Sequence, residues 1–169
     1  MDKIAKEAMK EKEKLVANAK TVLMSTVDSD GSPNVSYAPC LIDNSMNLYV
    51  YLSKLSKHTN NLLNIDKVSV MIIQDEFQSD NIFARKRFTM DCVSSVIDRE
   101  ENDWIEKMDD MEGKFGESIK FLRTLTDFYL FRFIPSAGLL VYDFGKAFRF
   151  VGKNLNDIVH LNEQGHTKN

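Results

Sequence analysis

The spacing of short β-type runs limits this chain more than any other feature. Thr21 to Asp28 is one such run, Asp28-Ser29-Asp30-Gly31 is a turn signal, and Pro33 to Ile42 resumes β character, which makes a hairpin. Asp43-Asn44-Ser45 turns the chain again. Met46 to Leu52 then alternates: Met46, Leu48, Val50 and Leu52 share one face, and Asn47, Tyr49 and Tyr51 the other. The first face reads as core; the tyrosine face is either solvent-exposed or an interface. Val68 to Ile73 is a dense apolar strand. Phe83 to Val93, rich in aromatic and β-branched residues and free of Pro and Gly, reads as another that runs on to Ile97. Late in the chain come Phe128 to Ile134, a turn at Pro135-Ser136-Ala137-Gly138, Leu139 to Tyr142, a bend at Asp143-Phe144-Gly145, and Ala147 to Val151.

Helical patterns are few. Residues 2 to 18 form an amphipathic helix, Ser56 is placed to cap a short one, and Ser118 to Leu125 allows another helical turn. Asp98 to Gly116 reads as a helix capped by Asp98, with Trp104, Ile105, Met108 and Met111 as its apolar stripe. Strand and helix never alternate, so a parallel doubly wound sheet is excluded. Six to eight strands with two or three helices predict a mainly β chain, a small antiparallel barrel with peripheral helices.

The 169 residues suit one domain, 1–169, with a helix at 1–18 and a flexible C-terminal tail at 152–169. No apolar run approaches the roughly 20 residues that span a bilayer. The charged start, Met1-Asp2-Lys3-Ile4, has no signal-peptide character. Cys40 and Cys92 have no CxxC spacing, which points to buried thiols in a reducing cytoplasm. A net charge of −3 argues against a general nucleic-acid binder, so any anion site is local.

Arg85-Lys86-Arg87 is the obvious place for one. On a strand, alternation puts Arg85 and Arg87 on one face and Lys86 on the other. Such a face is either a solvated one paired with Asp or Glu, or a cleft for phosphates or propionates, which the guanidinium fork suits. Ser53 to Leu63, rich in Ser, Lys, His and Asn, reads as an anion-binding helix N-terminus or as a plain capped surface helix. There is no glycine-rich phosphate loop and no nucleophile elbow. His160 and His166 match no zinc spacing, and Asp127, ahead of an aromatic strand, is by itself a turn or cap residue.

Several segments resemble the HugZ/HutZ family of bacterial haem-utilisation proteins. They are Thr26-Val27-Asp28, Pro33-Asn34-Val35-Ser36-Tyr37-Ala38-Pro39, Phe83-Ala84-Arg85-Lys86-Arg87, Thr126-Asp127-Phe128, Phe131-Arg132, Gly138-Leu139, Phe144-Gly145-Lys146-Ala147 and the tail Val159 to His166. They span nearly the whole chain in order, and the match is closest to the short HutZ-type members. The Gly165-His166 ending is the most specific element, because related flavin enzymes do not share it.

The resemblance implies the split β-barrel of pyridoxamine 5′-phosphate oxidase, an FMN-binding-like fold. It also implies a homodimer that binds haem at its interface and opens the porphyrin oxidatively with an external electron donor. His166 would then be the axial iron ligand, Asp127 its hydrogen-bonding partner, possibly from the other subunit, and Arg87 would lie over the oxygen-binding face. Arg85 or Lys86 would neutralise propionates, alternation arguing against both doing so from one strand. The alternatives are an FMN-dependent oxidoreductase with Arg85 or Arg87 and the Ser53–Asn61 segment on the flavin phosphate, and a haem carrier or store without chemistry. Asp143 stands where the family usually has Gly, a position that an Asp in the left-handed region can fill.

Overall fold

The computed structural model describes residues 3–161. In chain order the elements are α1 (Lys3–Ala17), β1 (Thr21–Val27), β2 (Pro33–Pro39), β3 (Leu41–Ile42), β4 (Leu48–Ser53), α2 (Lys57–Asn64), β5 (Lys67–Ile73), β6 (Arg87–Ile97), α3 (Asn102–Phe115), α4 (Glu117–Leu122), β7 (Phe128–Tyr142), β8 (Lys146–Val151) and β9 (Asp157–His160). All pairings are antiparallel, in the order β2-β1-β5-β6-β7-β4-β3, with β8 and β9 continuing from β7. The described residues therefore hold nine strands. Two expected strands merge into β7, and two short ones are added: β3 is split from β2 after Pro39, and β9 forms where a tail from 152 was expected. Leu155 is buried and Ile158 packs on the core, so the last apolar residues do anchor this segment.

The strand that organises the sheet is β7. The turn expected at Pro135–Gly138 is absent, and one strand of 15 residues runs through it. Its pairing with β6 passes from Asp91↔Ala137 to Cys92↔Pro135, which leaves Ser136 as an extra residue. The Ser136 hydroxyl donates to the Asp91 carbonyl at 3.1 Å. Such a bulge shifts the alternation by one. Phe131 and Phe133 face the barrel interior before it, and Leu140 and Tyr142 face the same interior after it. Without the extra residue one half of β7 would turn its apolar side chains outward. Gly138 is fixed by packing: a Cβ there would lie 2.5 Å from the Phe88 ring.

The interior core includes Met24, Val70, Phe88, Met90, Phe131, Phe133, Leu140, Phe148 and Phe150. Each such side chain removed from water contributes roughly 2 kcal/mol. A second core lies on the outer face of β4 and the first half of β7, where Tyr49, Tyr51 and Leu130 pack under Trp104, Met108, Met111 and Ile119 of α3 and α4. The tyrosine face of β4 is thus covered by helices. α3 begins at Asn102, four residues after the expected cap. The Asp98 carboxylate instead accepts from the Glu100 amide at 3.1 Å and closes a tight turn.

Candidate functional site

The cation triplet does not lie on one strand. The Asn81 side chain accepts from the Phe83 amide at 3.0 Å, Ile82–Ala84 form a single 3₁₀ turn, and β6 starts only at Arg87. The shared face expected for Arg85 and Arg87 is therefore absent. Arg85 donates from Nε to the Gln74 carbonyl at 2.8 Å and pairs with Glu76 at 3.1 Å. Lys86 is ion-paired with Glu11 of α1, and this pairing holds the Glu11 carboxyl below its ordinary pKa. Arg87 differs from both. Its one hydrogen bond is to the Arg85 carbonyl at 3.2 Å, and among the described residues no carboxylate pairs with it.

Cross-strand register places Arg87 opposite Val141 of β7 and Ile73 of β5, on the outer face of the barrel. One step along, the row Tyr37–Leu23–Met71–Thr89–Leu139–Arg149 crosses six strands. Tyr37 is 65% exposed, and neighbouring Val35 is 75% exposed. Leu139 is also exposed, and Leu23, Met71 and Thr89 are half-buried. Among the described residues no helix covers this face as α3 and α4 cover the other half of the sheet. A flat apolar surface with an unpaired guanidinium fits a planar, largely apolar anion, whether haem or flavin phosphate.

The chain also returns to this end. The Leu161 amide donates to the Ala147 carbonyl at 3.1 Å, and Ala147 pairs with Val141, Arg87's own neighbour. At about 4.8 Å per strand, Leu161 stands roughly 14 Å from Arg87. The five residues onward to His166 can span at most ~17 Å. His166 lies outside the described residues.

Asp127 is at the other end. It is exposed, precedes β7, and its carbonyl accepts from the Lys54 amide at 2.7 Å. Thirteen residues of β7 separate Phe128, beside it, from Val141, beside Arg87. That is roughly 40 Å along the strand. The Ser53–Asn61 segment shares the Asp127 end, since Ser53 pairs with Phe128. One copy of the chain therefore unites neither Arg87 with Asp127 nor Arg87 with this segment on a phosphate.

Within the segment Lys57 pairs with Asp28 at 3.3 Å, Asn61 donates to Thr26 at 2.9 Å, and His58 Nδ1 meets Ser36 Oγ at 2.9 Å. Burial lowers the His58 pKa. These contacts dock α2 on β1 and β2 and leave those three side chains with structural partners.

A cleft of about 620 Å³ between α1 and the end of β5, lined by Lys14, Lys20, Gln74 and Lys86, includes neither Arg87 nor Asp127. Cys40 and Cys92 are buried and unbonded, and burial pushes the Cys40 thiol up to about 11. No three metal-ligating side chains converge among the described residues, and no helix there is long and apolar enough to cross a membrane.

One antiparallel sheet curled around an interior core, with helices over half of its outer face and a bare half carrying Arg87 and Arg149, neither paired with a carboxylate among the described residues, defines a split barrel with its candidate ligand surface on that bare half. Residues 8–142 match the family model described as pyridoxamine 5′-phosphate oxidase. The chain belongs to that family, as a member of HutZ type. It is 44% identical over 149 residues, 88% of this chain and 84% of the relative, to a protein of Vibrio cholerae named as the haem oxygenase HutZ. The crystal structure of HutZ, there called the haem storage protein of that organism, superposes with a TM-score of 0.72 at 38% identity, over 75% of this chain and 89% of HutZ. ChuZ of Campylobacter jejuni superposes with a TM-score of 0.85 at 26% identity, over 97% of this chain and 66% of ChuZ. An FMN-binding relative of pyridoxamine 5′-phosphate oxidase from Nostoc punctiforme shares the fold at 9% identity, with a TM-score of 0.68 over 96% of this chain and 98% of its own.

Proposed function

We propose that this chain is a haem-degrading enzyme that works as a homodimer in the cytoplasm and opens the porphyrin of its substrate to release iron, with electrons from an external donor. The observation that carries this reading is Arg87, unpaired on a bare apolar face at the end of the barrel to which the chain returns before His166. The 44% identity to a protein named as a haem oxygenase supports it.

In this reading two copies pack through their bare sheet faces and enclose haem. His166 of one copy holds the iron. Asp127 of the other accepts a hydrogen bond from the far nitrogen of that imidazole, which fixes its orientation and raises its basicity. The separation of Arg87 and Asp127 to opposite ends of β7 supports a second copy's part in the site. Arg87 would donate charge-assisted hydrogen bonds toward the haem, favouring anionic groups that bind beside it. When bound, haem itself supplies the oxygen activation. Arg85 and Lys86 reach propionates only by leaving Glu76 and Glu11.

A haem titration of the apo protein tests this, run beside His166→Ala and a parallel FMN titration. The expected result is a Soret band that saturates at one haem per chain, is lost in the variant, and decays when ascorbate is added. A band stable to ascorbate would leave a haem carrier or store. Saturable FMN binding without a Soret shift would replace the reading with a flavin enzyme.

A further inference from the structure

Asp127 is useful to an imidazole only if the connection that carries it is held still. Residues 123–127, between α4 and β7, are irregular, and such a connection has little intrinsic rigidity. One side chain reaches in behind it. Arg99, from the turn between β6 and α3, donates from one terminal nitrogen to the Arg123 carbonyl at 3.2 Å. Its other terminal nitrogen donates to the Tyr51 hydroxyl at 2.6 Å and to the Leu125 carbonyl.

The guanidinium also lies 5.0 Å from the Trp104 ring centre, and Arg123 lies over the same ring at 5.7 Å. Tyr51 is buried against Trp104 and Phe128. Burial raises the pKa of its hydroxyl; Arg99 and Arg123 lower it, and the Asp127 carboxylate raises it. Arg99, Tyr51 and Asp127 thus stand within one electrostatic neighbourhood. Among the described residues no carboxylate pairs with Arg99: its polar contacts are two carbonyls of the 123–127 connection and the Tyr51 phenol of β4.

We propose that Arg99 is a positioning residue for Asp127. Its planar fork ties residues 123 and 125 to the helix-covered core, so that the Asp127 carboxylate is presented to the ligand imidazole in a single orientation. This rests on the assignment of Asp127 to that imidazole. Lysine is no substitute: a point charge on a flexible stem cannot hold two carbonyls and a hydroxyl in one plane while stacking on indole.

The test compares wild type, Asp127→Asn, Arg99→Lys and the double variant as full-length haem-loaded dimers. The readouts are haem affinity, the iron–histidine stretching band of the ferrous form, and the rate of Soret loss with ascorbate. Amide exchange across 123–127 and at Lys54 is measured on the apo proteins.

Arg99→Lys is expected to leave haem affinity within about threefold, because the ligand itself is untouched. It should shift the stretching band in the same direction as Asp127→Asn, speed exchange in the connection, and slow degradation about tenfold. The double variant should be no slower than Asp127→Asn, within about twofold. A band that moves in Asp127→Asn and stays put in Arg99→Lys would overturn the role of Arg99 and leave that of Asp127. A band that stays put in Asp127→Asn would overturn both. Single effects that multiply in the double variant would make the residues independent and overturn the proposal. If Arg99→Lys fails to fold, Tyr51→Phe removes one of the three acceptors and carries the same comparison at smaller amplitude.

Discussion

The two halves of β7 share a strand, an interior and a hydrogen-bonding pattern, and differ in what covers them outside. From Phe128 to Arg132 the outer face is roofed by α3 and α4, and its side chains join a second core. From Ala137 to Val141 no helix among the described residues covers it, and Leu139 and Arg87 lie on that face. The roofed half ends in a carboxylate and the bare half in a guanidinium. β7 spans the distance between the two groups, Asp127 just ahead of it and Arg87 beside its far end on β6, and so sets them too far apart for a single ligand. The distance between them is an argument for the proposed assembly, in which each site would take one group from the bare half of one copy and one from the roofed half of the other.

The largest effect should come from spoiling the bare half. Met71 lies at the centre of its exposed row, between Leu23 and Thr89, and its side chain points away from the interior. Met71→Glu puts a carboxylate where two copies would meet, and burying it unpaired costs several kcal/mol. The expected outcome is a folded monomer that has lost haem binding, read by size-exclusion chromatography with light scattering and by Soret titration. A dimer with intact haem binding would mean that the copies meet elsewhere.

A second variant experiment tests the division of labour between the halves. Unfolded, mixed and refolded together in equal amounts, His166→Ala and Asp127→Asn should form mixed dimers in which one of the two sites draws both intact groups. With random pairing that restores about a quarter of the wild-type sites. The measurement is ascorbate-driven Soret loss of the mixture against each variant alone. No recovery would put His166 and Asp127 in one chain and break the comparison.

The bare half and the roofed half were not equally legible in the sequence. Alternation in β4 marked the interior, because a half-buried strand must alternate, whereas β1 and β5 were legible only as β-type and apolar runs. The tyrosines of β4 left open whether helices or solvent would cover them, since Tyr suits either. Pro135-Ser136-Ala137-Gly138 has the composition of a turn, and only pairing with β6 makes it a bulge. The face of Arg87 was legible, whereas that of Arg85 was not. A single Asn81 side chain closes the turn that delays the strand, and Asn is as common in open loops as in such caps. Arg99 was missed altogether. In Asp98-Arg99-Glu100-Glu101 it looks like one more solvated charge, and its acceptors come from 24, 26 and 48 residues away.

The smallest effect is expected at Asp143, on the bend beyond the bare half, where the resemblance leads one to expect Gly. Its φ of 51° is in the left-handed region, which costs a non-glycine residue about 1 kcal/mol. Against that, its carboxylate pairs with Lys146 at 3.0 Å, and a half-exposed pair of this kind contributes roughly 0–1 kcal/mol. Glycine would relieve the backbone but raise the entropy of the unfolded chain by a further ~0.5–1 kcal/mol. These contributions nearly cancel, so Asp143→Gly should change the unfolding free energy by less than about 1 kcal/mol. The informative quantity is haem affinity. If the bend stands clear of the ligand, affinity should stay within about threefold of wild type, since a solvated carboxylate beside a lysine projects little field. A gain of about tenfold or more would place the Asp143 carboxylate against the propionates, and the bare half would then end in an anion that opposes Arg87 as well as in the cation that attracts the ligand.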